Sequence, residues 1–288
     1  MKILFAIPHF YDATGGGRYG SLSPDPRPRV QALSACLATL HHIFGLEQKQ
    51  IDIARRVALP ANQAQRHEIE IVICTSGDRH LLAELPIPPQ LYWHRPSTAE
   101  PILLGFECQQ VLRDALGKFD YYCYLEDDLL LGDPWFFFKL AWFNRLAGDG
   151  CLLQPHRYEM MSHVVARKVY IDGDLRPEVY SPFCNLDASP EIAGEALGVP
   201  VAFRPARNPH SGCYFLNAAQ MIHWSAQPCF LDRDASFVGP LESAATLGVL
   251  RTFKIYKPAR EHAAFLEIQH YGSQFLAQVG TQLPIVEE

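Results

Sequence analysis

Residues 121–131 read Tyr-Tyr-Cys-Tyr-Leu-Glu-Asp-Asp-Leu-Leu-Leu. An aromatic and apolar run of this kind is typical of a buried β-strand. The run ends in three consecutive carboxylates, Glu126, Asp127 and Asp128, and apolar residues resume directly after them. Like charges in a buried setting destabilise a fold unless a cation or hydrogen-bond donors compensate them. Carboxylate ligands suit Mg²⁺ or Mn²⁺, so the segment predicts a metal site; the alternative is a strand that ends at the surface with solvated acids.

The composition indicates a soluble globular protein. The 288 residues are 48% hydrophobic and 19% charged, with a formal net charge of −6. The negative charge and the lack of a Lys- or Arg-rich run exclude a dedicated nucleic-acid-binding protein. The cysteines form no Cys-x-x-Cys pair, so we expect reduced thiols in a cytoplasmic protein. No apolar run reaches the roughly 18 residues of a membrane span, which leaves only peripheral membrane contact open.

The first 130 residues alternate between strand and helix patterns. Apolar β-type runs at 2–7, 68–75 and 91–94 predict strands that precede the acidic one. Apolar residues at helical spacing from Val30 to Phe44 predict the first long helix, and a second begins near Pro101 and ends near Gly117. We interpret residues 51–67 as a further helix followed by a polar connection. This order is typical of a mostly parallel α/β sheet.

Two loops of the first half carry candidate ligand contacts. The loop at 14–21 reads Thr-Gly-Gly-Gly-Arg-Tyr-Gly-Ser and can bring backbone close to a phosphate, although it matches neither the Walker nor the dinucleotide pattern. A loop without a ligand is the alternative. Asp78 follows the second strand, where open α/β sheets hold ligands, and could contact a base or ribose; a turn-forming Asp is the commoner explanation.

The second half is interpreted as an extension of the same sheet. It contains a helix that begins after Asp133, strands near 151–154 and 253–256, and a polar turn that runs into a strand over 210–217. Residues 171–209 are rich in Pro, Gly and Asp and are expected to form long connections, with a hairpin near 168–171.

These features together resemble the GT-A class of nucleotide-sugar-dependent glycosyltransferases, among them the exostosin-like and family-2-like members. The likeness lies in the N-terminal βαβ half, the Glu126-Asp127-Asp128 triplet, the segment His-Ser-Gly-Cys-Tyr-Phe-Leu from residue 210, and Gly-Pro-Leu-Glu-Ser from residue 239. It implies one α/β, Rossmann-type domain over 1–288, with a mostly parallel central sheet and helices on both faces. Residues 1–131 would bind the nucleotide-sugar and residues 132–288 the acceptor.

The resemblance also implies roles for the acids. The class carries an Asp-x-Asp motif whose last acid binds the divalent cation, which makes Asp128 the metal ligand. Glu126 occupies the first position of the motif, whose acid contacts the ribose or the metal. Glutamate at this position departs from the motif because its side chain is longer than that of aspartate. A late histidine often joins the metal shell, here His270 with His262 as the competing candidate, and imidazole would favour Mn²⁺ over Mg²⁺.

The remaining roles follow from the expected transfer of sugar from a nucleoside-diphosphate sugar to an acceptor hydroxyl. Glu242 is the expected general base of an inverting enzyme, or an acceptor-side acid in a retaining one; the alternative is an ordinary acid in the first turn of a helix. The acceptor site is assigned to His210, Ser211 and Gly212. The donor site is assigned to Pro8, Gly16, Arg18, Asp78, Glu126 and Asp127.

Three other classes of protein are compatible with parts of the sequence. A nucleotidyltransferase would use the same α/β half and a metal-binding acid, but it would release pyrophosphate from a nucleoside triphosphate. A metal-dependent hydrolase would need more converging His and Asp ligands. A non-catalytic sugar-binding protein would keep the aromatic residues without needing the acidic triplet.

Overall fold

The computed structural model describes residues 1–16, 20–45, 48–64, 66–161, 167–184, 186 and 189–286. Its helices are α1 (Arg27–Phe44), α2 (Leu104–Asp114), α3 (Phe136–Ala147), α4 (Pro177–Tyr180), α5 (Ala218–Ser225) and α6 (Pro240–Thr252). Its strands are β1 (Lys2–His9), β2 (Lys49–Asp52), β3 (Val57–Pro60), β4 (Glu68–Ser76), β5 (Trp93–Ser97), β6 (Tyr121–Leu125), β7 (Leu129–Leu130), β8 (Cys151–Leu153), β9 (His156–Met160), β10 (Lys168–Tyr170), β11 (Ile192–Ala196), β12 (Val199–Pro205), β13 (Cys213–Asn217), β14 (Lys254–Pro258) and β15 (Glu267–His270).

A five-stranded sheet of order β13-β6-β1-β4-β5 forms the centre of the molecule. Strands β6, β1, β4 and β5 are parallel, and β13 joins β6 in the antiparallel direction. Every residue of β1 after Lys2 is buried, as expected of a strand that is covered on both faces. The predicted buried strand before the acidic triplet is confirmed, because all five residues of β6 are buried.

Helices cover both faces of this sheet. Phe5 and the other β1 residues on its face pack with apolar side chains of α1 and α3. Leu4 and Ala6, on the opposite face, pack with α2, α5 and α6. The predicted α/β architecture, with a mostly parallel central sheet and helices on both faces, is therefore confirmed.

The sequence predicts that the second half extends the central sheet, and this prediction is wrong for most of its strands. Of the strands described in this half, only β13 joins the central sheet, and its residues Cys213 to Leu216 are all buried. The others, together with β7, form two four-stranded sheets of order β10-β9-β15-β7 and β11-β12-β14-β8. Strands such as β11 have one exposed face, which suits a sheet that is covered on one side only.

Two further predictions are wrong. The described residues of 51–67 form no helix but contain most of the hairpin β2–β3, whose apolar residues point into solvent. The connection expected over 171–209 contains α4 and the hairpin β11–β12. The turn of that hairpin places both Leu197 and Gly198 at positive φ, 51° and 78°, which is the geometry of a two-residue hairpin turn. Leucine is an unusual first residue for such a turn, which explains why the sequence did not reveal it.

Strand β5 begins two residues later than predicted, after a 3-10 turn at Pro89–Leu91. Further 3-10 turns lie at Gly20–Leu22, Leu82–Glu84, Pro101–Leu103, Arg260–Phe265 and Leu276–Gln278. Within the described ranges, none of the helices combines the length and apolar character that a bilayer crossing demands. All eight cysteines are free thiols.

Candidate active site

The candidate site lies at the edge of the sheet formed by the carboxyl ends of the parallel strands. The chain leaves β1 towards β4 and later returns to β6 on the other side of β1, which makes the gap between β1 and β6 a topological switch point. Open α/β sheets bind ligands at such points. Here His9 ends β1, the acidic triplet follows β6, and the antiparallel β13 begins at the same edge.

Asp127 is the buried anchor of the acidic triplet. Its Oδ2 lies 2.5 Å from Nδ1 of His9, and Arg29 donates a short hydrogen bond to its Oδ1. Nε2 of His9 accepts from the backbone N–H of Leu81 at 3.1 Å, so Nδ1 carries the proton and donates it to Asp127. Burial alone would raise the pKa of Asp127, but the nearby Arg29 and His9 hold it below its usual range.

Arg29 reaches the acids from the first turn of α1. Pro28 precedes it in that turn, where a missing backbone N–H leaves no hydrogen bond unmade. Nη1 of Arg29 donates to Oδ2 of Asp128 at 3.0 Å, while Nη2 bonds to Asp127. One guanidinium thus compensates two of the three carboxylates, and the proximity of both acids raises the pKa of Arg29 despite the opposing effect of burial.

Asp128 keeps one oxygen without a partner. Its Oδ2 accepts from Arg29 and lies 3.9 Å from Nε2 of His270. Its Oδ1 is buried and makes no hydrogen bond within the described structure. A buried carboxylate oxygen without a donor is costly, so it indicates a ligand or ion at this point.

Glu159 orients His270 from the side away from Asp128. Oε1 of this fully buried glutamate lies 2.9 Å from Nδ1 of His270, and Oε2 accepts from the backbone N–H groups of Phe275 and Leu276 at 2.9 and 2.8 Å. An ionised carboxylate only accepts hydrogen bonds, so Nδ1 of His270 donates and Nε2 faces Asp128. Metal-ligating histidines are commonly oriented by a carboxylate in this way.

The residues present fit a divalent cation that a substrate helps to hold. Within the described parts of the chain, no group of three or more His, Cys, Asp or Glu side chains converges on a point where an ion could bind. The unpartnered Oδ1 of Asp128 and the oriented Nε2 of His270 nevertheless supply two ligand atoms of suitable chemistry. Mg²⁺ sites of nucleotide-using enzymes often have only one or two carboxylates and complete their shell with phosphates and water.

Glu126 is pressed against the start of β13. Its backbone N–H donates to the carbonyl of Gly212 at 3.0 Å, and a side chain at Gly212 would collide with its Oε2. Gly212 also has a φ of 62°, so glycine is required there for two reasons. Burial raises the pKa of Glu126 to about 8, and the charges of Asp128 and Glu242 add to the effect while Arg157 opposes it.

The charge of Glu242 adds to the raised pKa of Glu126, so the two acids lie near each other. Glu242 is the third residue of α6, after Gly239 and the first-turn Pro240, and its carboxylate folds back over Gly239. Glu242 therefore occupies the first turn of α6, and its role as the general base stays a prediction.

Two residues of the predicted acceptor site, His210 and Ser211, form hydrogen bonds within the protein. His210 contacts the hydroxyl of Thr246 at 3.0 Å through Nδ1, and burial lowers its pKa well below the usual value. The hydroxyl of Ser211 donates to the carbonyl of Pro155 at 3.0 Å. Both side chains are thus engaged within the protein, and they fix the segment that carries Gly212.

A buried ion cluster supports this segment. Asp172 accepts from Nε of Arg157 at 2.9 Å and from Nζ of Lys257 at 3.2 Å, and Lys257 also donates to the carbonyl of His210 at 2.9 Å. Nη1 of Arg157 lies 3.9 Å from Oε2 of Glu126. The two cations hold the pKa of Asp172 well below its usual range, although burial alone would raise it.

The remaining predicted donor residues lie around the same edge without joining the acids. Pro8 is buried in β1 opposite Cys74, Gly16 is exposed in its loop, and Asp78 is exposed in the turn after β4. Arg18 lies outside the described residues. His262, the competing metal ligand, accepts from the N–H of Ala202 in another sheet, so the structure brings His270 and not His262 to Asp128.

No protein-family model matches the chain, and no curated protein matches it. Among solved structures it is similar to apo mouse xyloside xylosyltransferase 1, with 10% identity and a TM-score of 0.38, over 88% of this chain and 82% of that one. It is also similar to a mannose-1-phosphate geranyltransferase from Thermus thermophilus, with 13% identity and a TM-score of 0.39, over 89% of this chain and 73% of that one. Likenesses at this level do not establish a family for the chain.

Proposed function

We propose that the protein is a metal-dependent glycosyltransferase that moves a sugar from a nucleoside-diphosphate sugar to an acceptor hydroxyl. The observation that carries the proposal is the pairing of Asp128 with His270 at the switch point. Within the described residues, Oδ1 of Asp128 is buried without a partner, and Glu159 turns Nε2 of His270 towards the same carboxylate, 3.9 Å from its Oδ2. Two oriented ligand atoms at the carboxyl edge of a parallel sheet suit a metal-diphosphate group.

On this proposal the donor diphosphate lies over Asp128 and His270, with Arg29 at its side. A divalent cation bound there would offset the charge that develops on the leaving diphosphate. The histidine ligand favours Mn²⁺ over Mg²⁺. Asp127, whose carboxylate is engaged by His9 and Arg29, positions Arg29 and the triplet. The nucleoside would extend along the ends of β1 and β4, past Pro8, Gly16 and Asp78.

The acceptor would bind on the side of Gly212 and Glu242. Glu242 takes the proton from the acceptor hydroxyl as that oxygen attacks the anomeric carbon, which is the role of a general base in an inverting transfer. Glu126 lies near Glu242 and, because burial raises its pKa to about 8, is a second carboxyl group that titrates near neutrality. The buried cluster around Asp172 holds the backbone of His210 and so fixes this wall.

A nucleotidyltransferase is the second candidate, and the position of Arg29 favours it. This cation follows the glycine-rich loop and lies between two carboxylates, where it could also contact a triphosphate. The two reactions differ in their products: the first releases a nucleoside diphosphate from a nucleotide-sugar, and the second releases pyrophosphate from a nucleoside triphosphate.

The test is a panel of nucleotide-sugars, and separately of nucleoside triphosphates with sugar phosphates, incubated with Mn²⁺. The proposal expects slow release of a nucleoside diphosphate from at least one nucleotide-sugar, faster with a hydroxyl acceptor. Asp128→Asn should abolish release, whereas Asp133→Asn, which removes an acid paired with Lys139 next to α3, should not. Pyrophosphate release alone would favour the second candidate, and no release from any donor would contradict both.

A further inference from the structure

We infer that the hairpin β2–β3 docks the protein onto an anionic lipid surface. The hairpin exposes four apolar side chains, with Ile51 at 75%, Ile53 at 82%, Val57 at 43% and Leu59 at 36% exposure. An isolated two-stranded hairpin is only marginally stable in water, and clustered exposed apolar residues usually mark an interaction surface. The inference is independent of the proposed transfer reaction.

The hairpin is fixed at its base rather than loosely attached. Nε2 of Gln48 donates to the carbonyls of His42 and Ile43 at 3.3 and 3.1 Å, which are among the last carbonyls of α1. Ala61 and Asn62 directly follow β3. Nδ2 of Asn62 donates to Oε1 of Gln48, and the N–H of Ala61 donates to the carbonyl of Gln48 at 2.9 Å. Because both arms are held at one end of α1, the apolar residues project in a defined direction.

The two faces of the hairpin differ in character. Ile51 is opposite Ala58, and Lys49 is opposite Pro60, so these residues share one face. Asp52 lies on the other face and is bonded to Nε of Arg55 at 2.6 Å and to its backbone N–H at 2.9 Å. Val57 and Leu59 also lie on this second face, since they are opposite Asp52 and Gln50. The hairpin thus exposes apolar side chains on both faces; the face with Ile51 and Lys49 carries no acid, and the single acid of the other face is paired with Arg55.

Charge identifies the partner. The protein as a whole carries a formal charge of −6, yet the segment 48–66 contains four cationic residues and one acid. The cations are Lys49, Arg55, Arg56 and Arg66. A locally basic and apolar projection on an acidic protein is complementary to anionic lipid, which attracts clustered Lys and Arg residues. Two copies that paired through this hairpin around a two-fold axis would instead bring like charges together.

The site would face away from such a surface. Helix α1 begins beside the acids, where Arg29 lies, and ends at Phe44, next to the base of the hairpin. Its 18 residues span about 27 Å. A protein held by the hairpin would thus present its candidate site to the aqueous side, so lipid binding and nucleotide binding should not interfere.

The test is cosedimentation of the full chain with vesicles of phosphatidylcholine, with or without phosphatidylglycerol. The wild-type protein should bind the anionic vesicles at least about tenfold more tightly, and added salt should weaken binding. The double variant Ile51→Ser, Ile53→Ser should reduce binding about tenfold or more. Arg56→Glu, which leaves the apolar side chains in place, should have the same effect.

The matched control is Leu197→Ser with Val199→Ser in the hairpin β11–β12, where these side chains are 99% and 62% exposed. It removes as much exposed apolar surface and should bind like the wild type. Equal binding of the wild type to both kinds of vesicle would overturn the inference, as would both β2–β3 variants binding normally. A dimer that the β2–β3 variants convert to a monomer, without vesicle binding, would assign the surface to a second copy instead.

Discussion

Glu159 holds Nδ1 of His270 at 2.9 Å and thereby turns the opposite ring nitrogen towards Asp128. The two residues are 111 positions apart in the sequence, and neither strand that carries them belongs to the central sheet. One of the two candidate metal ligands, His270, is thus oriented by a buried carboxylate in a sheet that the sequence did not predict.

This relationship predicts the effect of Glu159→Gln. The amide keeps the shape and one acceptor oxygen but loses the charge that fixes the tautomer of His270. We expect the Mn²⁺ concentration that half-saturates nucleoside-diphosphate binding to rise about 10- to 100-fold, the usual effect of losing such a partner. Isothermal titration at several Mn²⁺ concentrations measures it. An unchanged Mn²⁺ requirement in a folded variant would show that Glu159 only anchors the chain at Phe275 and Leu276.

Arg29→Met should strongly destabilise the protein. It leaves the buried Asp127 with one partner fewer and Asp128 without its donor, and breaking a buried ion pair typically costs about 3–5 kcal/mol. Thermal and urea unfolding measure the change. Arg27→Met is the control two residues earlier, because the Arg27 side chain is 82% exposed and pairs with Asp25. Mn²⁺ should recover part of the loss in the first variant, and equal stability of the two variants would contradict this account of the triplet.

Much of the central sheet could be predicted because local patterns suffice for it. The buried run before Glu126 and the helical spacing from Val30 to Phe44 both match the structure. The hairpin β2–β3 could not be predicted from burial, since its Ile51 and Ile53 are apolar but exposed. A pattern of apolar residues does not tell a core face from an interaction surface.

The predicted site was incomplete for a different reason. The sequence points to the triplet and His270 but not to His9, Arg29 and Glu159, because each of these three acts through a partner about a hundred positions away. His9 lies at the end of β1 and Arg29 in the first turn of α1, and both positions could have indicated a role in the site. These positions become informative only once β1 and β6 are known to be neighbours.

His67 predicts how stability depends on pH. It is buried against Phe44 and Phe137, and neither ring nitrogen has a partner in the described structure. Burial, and then the charge of the N-terminus, lower its pKa from 6.5 to about 4. Between these values the unfolded chain binds a proton that the folded chain does not, so this contribution to stability is present above pH 6.5 and is lost as pH falls towards 4.

His67→Phe should therefore reduce the loss of stability between pH 7 and pH 4 by an amount on the order of 1–3 kcal/mol. Urea unfolding at several pH values measures the difference. His42→Gln, at an exposed position near the end of α1, should leave the pH dependence as it is in the wild type. If both variants lose stability with acid as the wild type does, His67 is not the titrating group.

Glu242→Gln tests the proposed general base. The rate of sugar transfer should fall about a hundredfold or more, while nucleoside-diphosphate binding stays unchanged. If Glu242 only stabilises the first turn of α6, the substitution would lower the free energy of unfolding by a few tenths of a kcal/mol and leave turnover near normal. That result would move the base to Glu126, because Asp232 and Asp234 are paired with Arg251 and Glu267 is paired with Lys168.

The central claim is that Asp128 and His270 bind a nucleoside diphosphate through a divalent cation. Its most direct test is the thermal shift of the wild type and of Asp128→Asn with UDP or GDP, in Mn²⁺ and in excess chelator. Because a ligand that binds only the native state raises stability by mass action, the wild type should be stabilised in Mn²⁺ and not in chelator. Asp128→Asn should show no shift in either. Equal stabilisation of the wild type with and without metal, or a full Mn²⁺-dependent shift in Asp128→Asn, would contradict the account.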